Sequence, residues 1–325
     1  MPGCNHLKGR DFMEKTAKKN RIQRIILTAL GVLLVLVLAV LAFAGNYLFH
    51  FALDPQMEGG MLANETMELD DTHRWFLEHS EDRWLTSRDG LKLHGYYLSN
   101  GDSHQYAVIC HGYGSQPLGM TGSTSWFYEQ GYNVLVPAAR AHEQSEGRYV
   151  GMGWPERLDI VDWINTLVDQ DPQARIALYG VSMGGATVMM VSGEDLPEQV
   201  KCIIEDCGYS SVWDEFAGQL DELFGLPTFP VLNAASLVTR IQAGYTFEEA
   251  SAVNQLRKAT LPMLFIHGEE DTFVPYAMLD KVFDACASAE KERLDVPGAA
   301  HARSMRTDPE LYWGTVAAFL AKYIQ

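Results

Sequence analysis

The sequence predicts an α/β fold, a mostly parallel β-sheet with helices on both faces, led by one long apolar helix. Three observations predict it. From residue 81 onward, short apolar runs of strand length alternate with longer runs whose apolar residues recur at helical spacing. That alternation implies a parallel sheet covered on both sides. It lapses over 209–258, where no strand-like run stands, and residues 25–44 form an unbroken run without a charge.

Residues 1–24 are basic, with seven Lys and Arg against Asp11 and Glu14. The chain's net charge is −17, so the remainder carries about −22. An acidic body repels phosphate backbones, which excludes nucleic acid as a partner. Ile25–Ala44 has 20 uncharged residues, enough helix to cross a hydrocarbon core of about 30 Å. The basic flank should stay cytoplasmic and place the body outside. Ala42-Phe43-Ala44 before Gly45 also has the form of a signal-cleavage site, so a secreted form cut near Ala44 is the alternative. The length of the run favours an anchor, because signal cores run about 7–15 residues.

Residues 45–80 read as a connector with helical character, and 81–325 as one domain. Trp84–Thr86 and Leu91–Leu98 flank Asp89-Gly90, a hairpin turn signal. Strands are expected at Tyr106–Cys110, Asn133–Val136, Arg175–Tyr179, Val200–Ile204, Met263–Ile266 and Arg293–Val296. Helices are expected at Ser123–Gln130, Glu156–Val168 behind Pro155, after Gly180–Gly185, and at Tyr312–Tyr323. In 209–258, Phe216, Leu220, Leu223 and Phe224 fall at helical spacing, and a second helical run lies near Asn233–Gln242. This segment reads as a helical cap over the strand ends, where ligands bind in such sheets. Its acids Asp214, Glu215, Asp221 and Glu222 read as a solvated face, with the alternative that in an aminopeptidase-type enzyme they meet a substrate amine. The cysteines, Cys4, Cys110, Cys202, Cys207 and Cys286, form no C-x-x-C pair and read as free thiols, mostly in apolar runs.

The chemistry centres on Gly180-Val181-Ser182-Met183-Gly184. A G-x-S-x-G pattern arises by chance in about one chain in ten of this length, so its context carries the reading. A strand precedes it and a helix follows, as a nucleophile elbow requires. The Met183 amide, at the start of that helix, would face a developing oxyanion. A serine hydroxyl needs a base. In chain order an acid and then a histidine should follow, each on a loop after a strand. Asp271, in His267-Gly268-Glu269-Glu270-Asp271, and His301, in Pro297-Gly298-Ala299-Ala300-His301, meet both conditions. Glu269, Glu270 and Asp206 are rival acids. The second oxyanion donor is expected from Cys110-His111-Gly112-Tyr113-Gly114, with the Tyr113 amide the candidate. His111 and His142 read as structural, since one base suffices.

With HGYGS, GVSMGG, HGEEDTFVP and GAAH in that order, the chain resembles the α/β-hydrolase superfamily over roughly residues 80–325. It is most similar to membrane-anchored bacterial hydrolases of the serine aminopeptidase-like and dienelactone-hydrolase-like branches. The resemblance implies an eight-stranded, mostly parallel sheet and hydrolysis through an acyl-enzyme. Many members carry an R-G-H-G-x-S loop after the fourth strand. Here it reads Arg140-Ala141-His142-Glu143-Gln144-Ser145, with both glycines replaced.

The expected function is therefore a serine hydrolase of carboxylic esters, thioesters or small amides. Ser182 is the expected nucleophile, His301 the base and Asp271 its orienting acid, with a small acyl compound as partner and no cofactor or metal called for. An acyltransferase or an aminopeptidase-type peptidase would use the same residues. A non-catalytic interaction module on this fold is the remaining alternative.

Overall fold

A computed structural model of the chain describes residues 5–62 and 69–324, and the side chains from Met13 onward within the first helix, apart from 16 and 17. Cys4, the side chains of Lys8, Arg10 and Asp11, and part of the connector, 63–68, lie outside the described residues.

Eight strands form one sheet: β1 Glu81–Thr86, β2 Lys92–Leu98, β3 Gln105–Cys110, β4 Asn133–Pro137, β5 Arg175–Val181, β6 Val200–Asp206, β7 Met263–Gly268 and β8 Lys291–Val296. Their order is β1-β2-β4-β3-β5-β6-β7-β8. β1 and β2 pair antiparallel, as does β2 with β4, and every later pairing is parallel. The helices are α1 Asn5–Leu53, α2 Asp71–His79, α3 Thr121–Glu129, α4 Glu156–Gln170, α5 Met183–Val191, α6 Val212–Phe224, α7 Thr228–Ala243, α8 Ala252–Leu256, α9 Ala277–Ala285, α10 Ser304–Thr307 and α11 Pro309–Tyr323.

Strand side chains alternate between two cores, as a pleated sheet buried on both faces demands. Tyr106, Val108, Ile176, Leu178, Met263 and Phe265 join α4, α5 and α9 on one face. Ala107, Ile109, Ala177, Tyr179, Leu264 and Ile266 join α2, α3 and α11 on the other. The expected sheet, hairpin and cap are all present, with strand ends displaced by one to three residues. The sequence reading named no helix between β7 and β8. Yet α9 stands there, burying Met278, Leu279 and Val282.

The N-terminal boundary differs from expectation. α1 does not stop at Ala44 but continues unbroken to Leu53. Its apolar stretch Ile25–Val40 is exposed along its whole length, whereas Gly45, Phe49 and Leu53 are buried at four-residue spacing. A Cβ on Gly45 would lie 2.7 Å from the Ala234 carbonyl carbon, so α1 and α7 approach backbone to backbone. Phe49 meets the Tyr149 ring edge-on at 4.5 Å. The start of the supposed connector is thus part of the body's core. Continuity arises because the same helical spacing that makes 25–44 apolar all round leaves an apolar stripe beyond it.

Candidate active site

Ser182 lies between β5 and α5 with φ 58° and ψ −120°, a backbone that non-glycine residues rarely adopt. Such strain persists only where the surroundings over-determine it. Here they do. The Ser182 N–H donates to the Asp206 carbonyl at 2.8 Å, and its carbonyl accepts from the Ala186 N–H at 2.9 Å. A Cβ on Gly180 would come within 2.1 Å of the Gly184 carbonyl oxygen, and one on Gly184 within 2.0 Å of the Cys110 carbonyl oxygen. Strand, helix and the β3 end can therefore close around the serine only if both positions are glycine.

The Ser182 hydroxyl stands 2.9 Å from His301 Nε2, and His301 Nδ1 stands 2.7 Å from Asp271 Oδ2. Asp271 Oδ1 accepts from the Phe273 and Val274 N–H groups, both at 3.0 Å. His267 Nε2 lies 3.2 Å from Asp271 Oδ2. Burial opposes ionisation of Asp271, but hydrogen bonds from His267 and His301 outweigh it and hold the carboxyl below its ordinary range. The rival acids stand apart. Glu269 and Glu270 are exposed. Asp206 is spent on the Tyr312 hydroxyl at 2.9 Å and is pushed up to about 6 by burial.

Met183 opens α5, so its N–H belongs to the first turn, which has no intrahelical acceptor. The β3–α3 loop runs alongside. A Cβ on Gly112 would lie 3.4 Å from the Ser182 Cβ. The Tyr113 hydroxyl donates to the Ala52 carbonyl of α1 at 2.5 Å, so this loop is tied to the last turn of the N-terminal helix. His111 accepts from the Ala139 N–H at 3.0 Å, and its Nδ1 is 2.8 Å from the Gly112 carbonyl. Burial drives its pKa down to about 3, so it braces the loop as a neutral ring. His142 packs edge-on against it, with ring centroids 4.9 Å apart.

At the Arg140–Ser145 loop, Ala141 and Glu143 stand where the resemblance expects glycine, and both keep positive φ, 62° and 50°. Glu143 is held there by Tyr96 Oη at 2.6 Å and His94 Nδ1 at 3.0 Å. The loop thus keeps the glycine backbone without the glycines.

Sequence reasoning missed much of the pocket. Met61, Met152, Tyr209, Phe216, Gln219 and Phe273 line it with Ser182, as does Glu215. Glu215 is a correction. It was placed on the cap's solvated face, but it is 3% exposed, and burial pushes it up to about 8. Its Oε1 accepts from Gln219 at 3.2 Å, while Oε2 has no partner. The signal was available: Val212, Glu215, Phe216, Gln219 and Leu220 follow i, i+3, i+4, i+7, i+8, one helix face. Asp221 and Glu222 are exposed, as expected.

Cys207 Sγ lies within 4.8 Å of the nearest ligand atoms of Asp271 and His301. Burial and then the neighbouring Asp206 and Asp271 hold its thiol well above the ordinary value. Cys110, Cys202 and Cys286 are likewise free and buried.

The chain is similar to the uncharacterized protein YqkD of Bacillus subtilis, 26% identical over 298 residues, covering 91% of this chain and 96% of that one. Among solved structures it resembles the Pyrococcus furiosus esterase Pf2001, with TM-score 0.65 and 23% identity over 81% of this chain and 99% of that one. It also resembles the Pyrococcus horikoshii acylaminoacyl peptidase, with TM-score 0.55 and 19% identity over 79% of this chain and 44% of that one. At these identities the structural likenesses show the fold. Residues 121–325, which include Ser182, Asp271 and His301, match the prolyl oligopeptidase family. The chain belongs to the prolyl oligopeptidase family and is a serine hydrolase of the α/β-hydrolase superfamily.

Proposed function

We propose that this hydrolase cleaves carboxylic esters, thioesters or small amides through an acyl-enzyme on Ser182. The observation that carries the reading is the series Ser182–His301–Asp271, with contacts of 2.9 and 2.7 Å and the serine held in a strained elbow. His301 Nε2 takes the Ser182 proton as Oγ attacks the carbonyl carbon. The carbonyl oxygen becomes an oxyanion, held by the amides of Met183 and Tyr113. His301 returns the proton to the leaving oxygen, sulfur or nitrogen as the bond to it breaks. Water, deprotonated by His301, then attacks the acyl carbon, and His301 gives that proton to Ser182 Oγ as the acyl–oxygen bond breaks and the acid leaves. Asp271 keeps Nδ1 protonated throughout, so Nε2 faces the serine as an acceptor.

We further propose that Ile25–Ala44 anchors the protein and that the body lies outside the cytoplasm. One feature supports an anchor over a cleaved leader: the bond after Ala44 lies within α1, and the next residue, Gly45, is buried against α7. The basic residues of 1–24 supply the orientation.

One experiment tests both. A membrane-impermeant fluorophosphonate probe should label the wild-type chain on intact cells. Ser182→Ala should abolish that labelling and p-nitrophenyl butyrate turnover, a loss on the order of 10⁴-fold or more. Labelling of the mutant removes the nucleophile. Labelling only after lysis removes the orientation.

A further inference from the structure

The cap carries an uncharged surface that faces outward. Residues 223–239 hold no Asp, Glu, Lys or Arg, in a chain where 21% of residues are charged. Leu223, Leu226, Phe229 and Leu237 within this stretch, and Ile241 just past it, are between 40% and 76% exposed. Large apolar side chains scattered singly on a surface need no explanation, but a contiguous group marks a contact site. α7 is apolar on two sides. Leu232 and Ala235 are buried inward, while Leu237 and Ile241 stand outward. A helix apolar all round belongs in a core or against a membrane, and the outer side of α7 has no core over it.

What α7 packs on identifies the partner. Ala234, near its middle, meets Gly45 of α1 backbone to backbone, one residue past the apolar run 25–44. Leu41 and Ala44, inside that run, are already half-buried, and Gln242 Nε2 donates to Asn46 Oδ1 at 3.0 Å. α7 therefore stands where α1 would leave the hydrocarbon. Phe229, Leu237 and Ile241 are no further along the chain from Ala234 than roughly 10 Å of helix at 1.5 Å per residue. The polar zone of one leaflet is about 5–8 Å deep, so these side chains fall at its level. Phe43 and Tyr47 of α1 stay exposed at the same level, as aromatic rings at a membrane boundary do. The acidic body offers no attraction to anionic lipid, so the contact is apolar rather than electrostatic.

We propose that the cap makes a second membrane contact, with the outer face of α7 and the turn before it resting in the polar zone of the bilayer beside α1. This rests on residues 25–44 being the anchor. The contact bears on the active site, because α6, which runs into that turn, supplies Glu215, Phe216 and Gln219 to the Ser182 pocket. The site is thus held against the membrane surface instead of swinging on a tether.

The test uses the full chain, carrying Cys4→Ser, in phosphatidylcholine vesicles. The four described cysteines are free and buried, so a nitroxide reagent reaches only a cysteine placed at the surface. Labels on Phe229→Cys and Leu237→Cys are compared with Val35→Cys, in the apolar run, and Asp169→Cys, at the exposed end of α4. Oxygen concentrates in hydrocarbon, and a neutral nickel chelate stays in water. The oxygen-to-nickel collision ratio at both cap positions should be severalfold above that of Asp169→Cys, between it and Val35→Cys. Ile241→Cys stands in for a cap variant that does not fold. A water-like ratio at Val35→Cys removes the anchor and the cap contact with it. A hydrocarbon-like ratio there, with both cap positions at the Asp169→Cys value, overturns the cap contact alone. Spin–spin broadening at Leu237→Cys that dilution with unlabelled chain abolishes would assign the face to a second copy and also overturn it.

Discussion

The sheet edge at Ser182 and the seam between α1 and the cap lie side by side, yet different forces build them. At the edge, backbone meets backbone. Gly180 and Gly184 leave no room for a methyl group, and the serine is held at positive φ by its own peptide hydrogen bonds. At the seam, with the exception of Gly45, side chain meets side chain. Phe49, Leu53, Leu232 and Ala235 fill it, and all four are nearly inaccessible. The edge specifies positions to a fraction of an ångström, as a proton relay needs. The seam specifies an apolar volume, which other residues of similar shape could also fill. The two regions are joined by the Tyr113 hydroxyl on the Ala52 carbonyl, so the seam steadies the loop that faces the serine.

This difference makes activity and stability separable. The largest effect belongs to the edge. Asp271→Asn keeps an oxygen for the Phe273 and Val274 amides but presents an NH₂ to His301 Nδ1, which favours the wrong tautomer. Ester turnover should fall about 10⁴-fold with the melting temperature almost unchanged. A melting temperature that falls in step with activity would make Asp271 a fold residue and dissolve the contrast.

The seam should behave the opposite way. Phe49→Ala empties a fully buried site, which costs about 3–5 kcal/mol. Denaturant unfolding should show that loss, while kcat for a short ester in the folded fraction changes little. A large drop in kcat instead would mean that α1 positions the Tyr113 loop more tightly than one hydrogen bond implies.

The smallest effect sharpens the comparison through pH. Beneath the elbow, burial pushes Glu205 up to about 8. The native state then holds a proton that the unfolded chain releases near its ordinary value, 4.5. The contribution to stability is full below that pH and is lost as pH rises toward 8. Glu156, pushed up to about 7 by burial, and Glu215 slope the same way. Glu205→Gln keeps an acceptor for the Gly208 N–H, which now donates to Glu205 at 2.9 Å. Melting curves between pH 5 and 9 should be flatter in this variant by about 1–3 kcal/mol, whereas Phe49→Ala should lower the curve without changing its slope. Equal slopes for Glu205→Gln and wild type would remove the buried acid as the source.

Much of the edge was legible in advance. Ser182, Asp271 and His301 are placed by chain order alone, since each follows a strand and parallel strands end on one side. Glu215 was not legible as a buried group, because its charge outweighed its place on the apolar face of α6 in a reading by residue type. The Ala141 and Glu143 substitutions concealed a loop whose backbone is nevertheless of glycine type. The reach of α1 into the core was hidden because Gly45 and Asn46 interrupt the apolar run just where the helix turns from a surface apolar all round to a single buried stripe.

By itself the sequence determined what is local or ordered along the chain: strand and helix alternation, the elbow's glycine spacing, the order of acid and base, and a bilayer-length helix. Those follow from short-range sterics and from periodicity, which survive in one dimension. Tertiary structure alone decided what converges from distant segments. It brought α1 onto α7, turned Glu215 inward, and gathered Met61, Phe216 and Gln219 into one pocket with Ser182. Which side chains face one another across a cap depends on how helices cross, and no pattern within a single helix carries that angle.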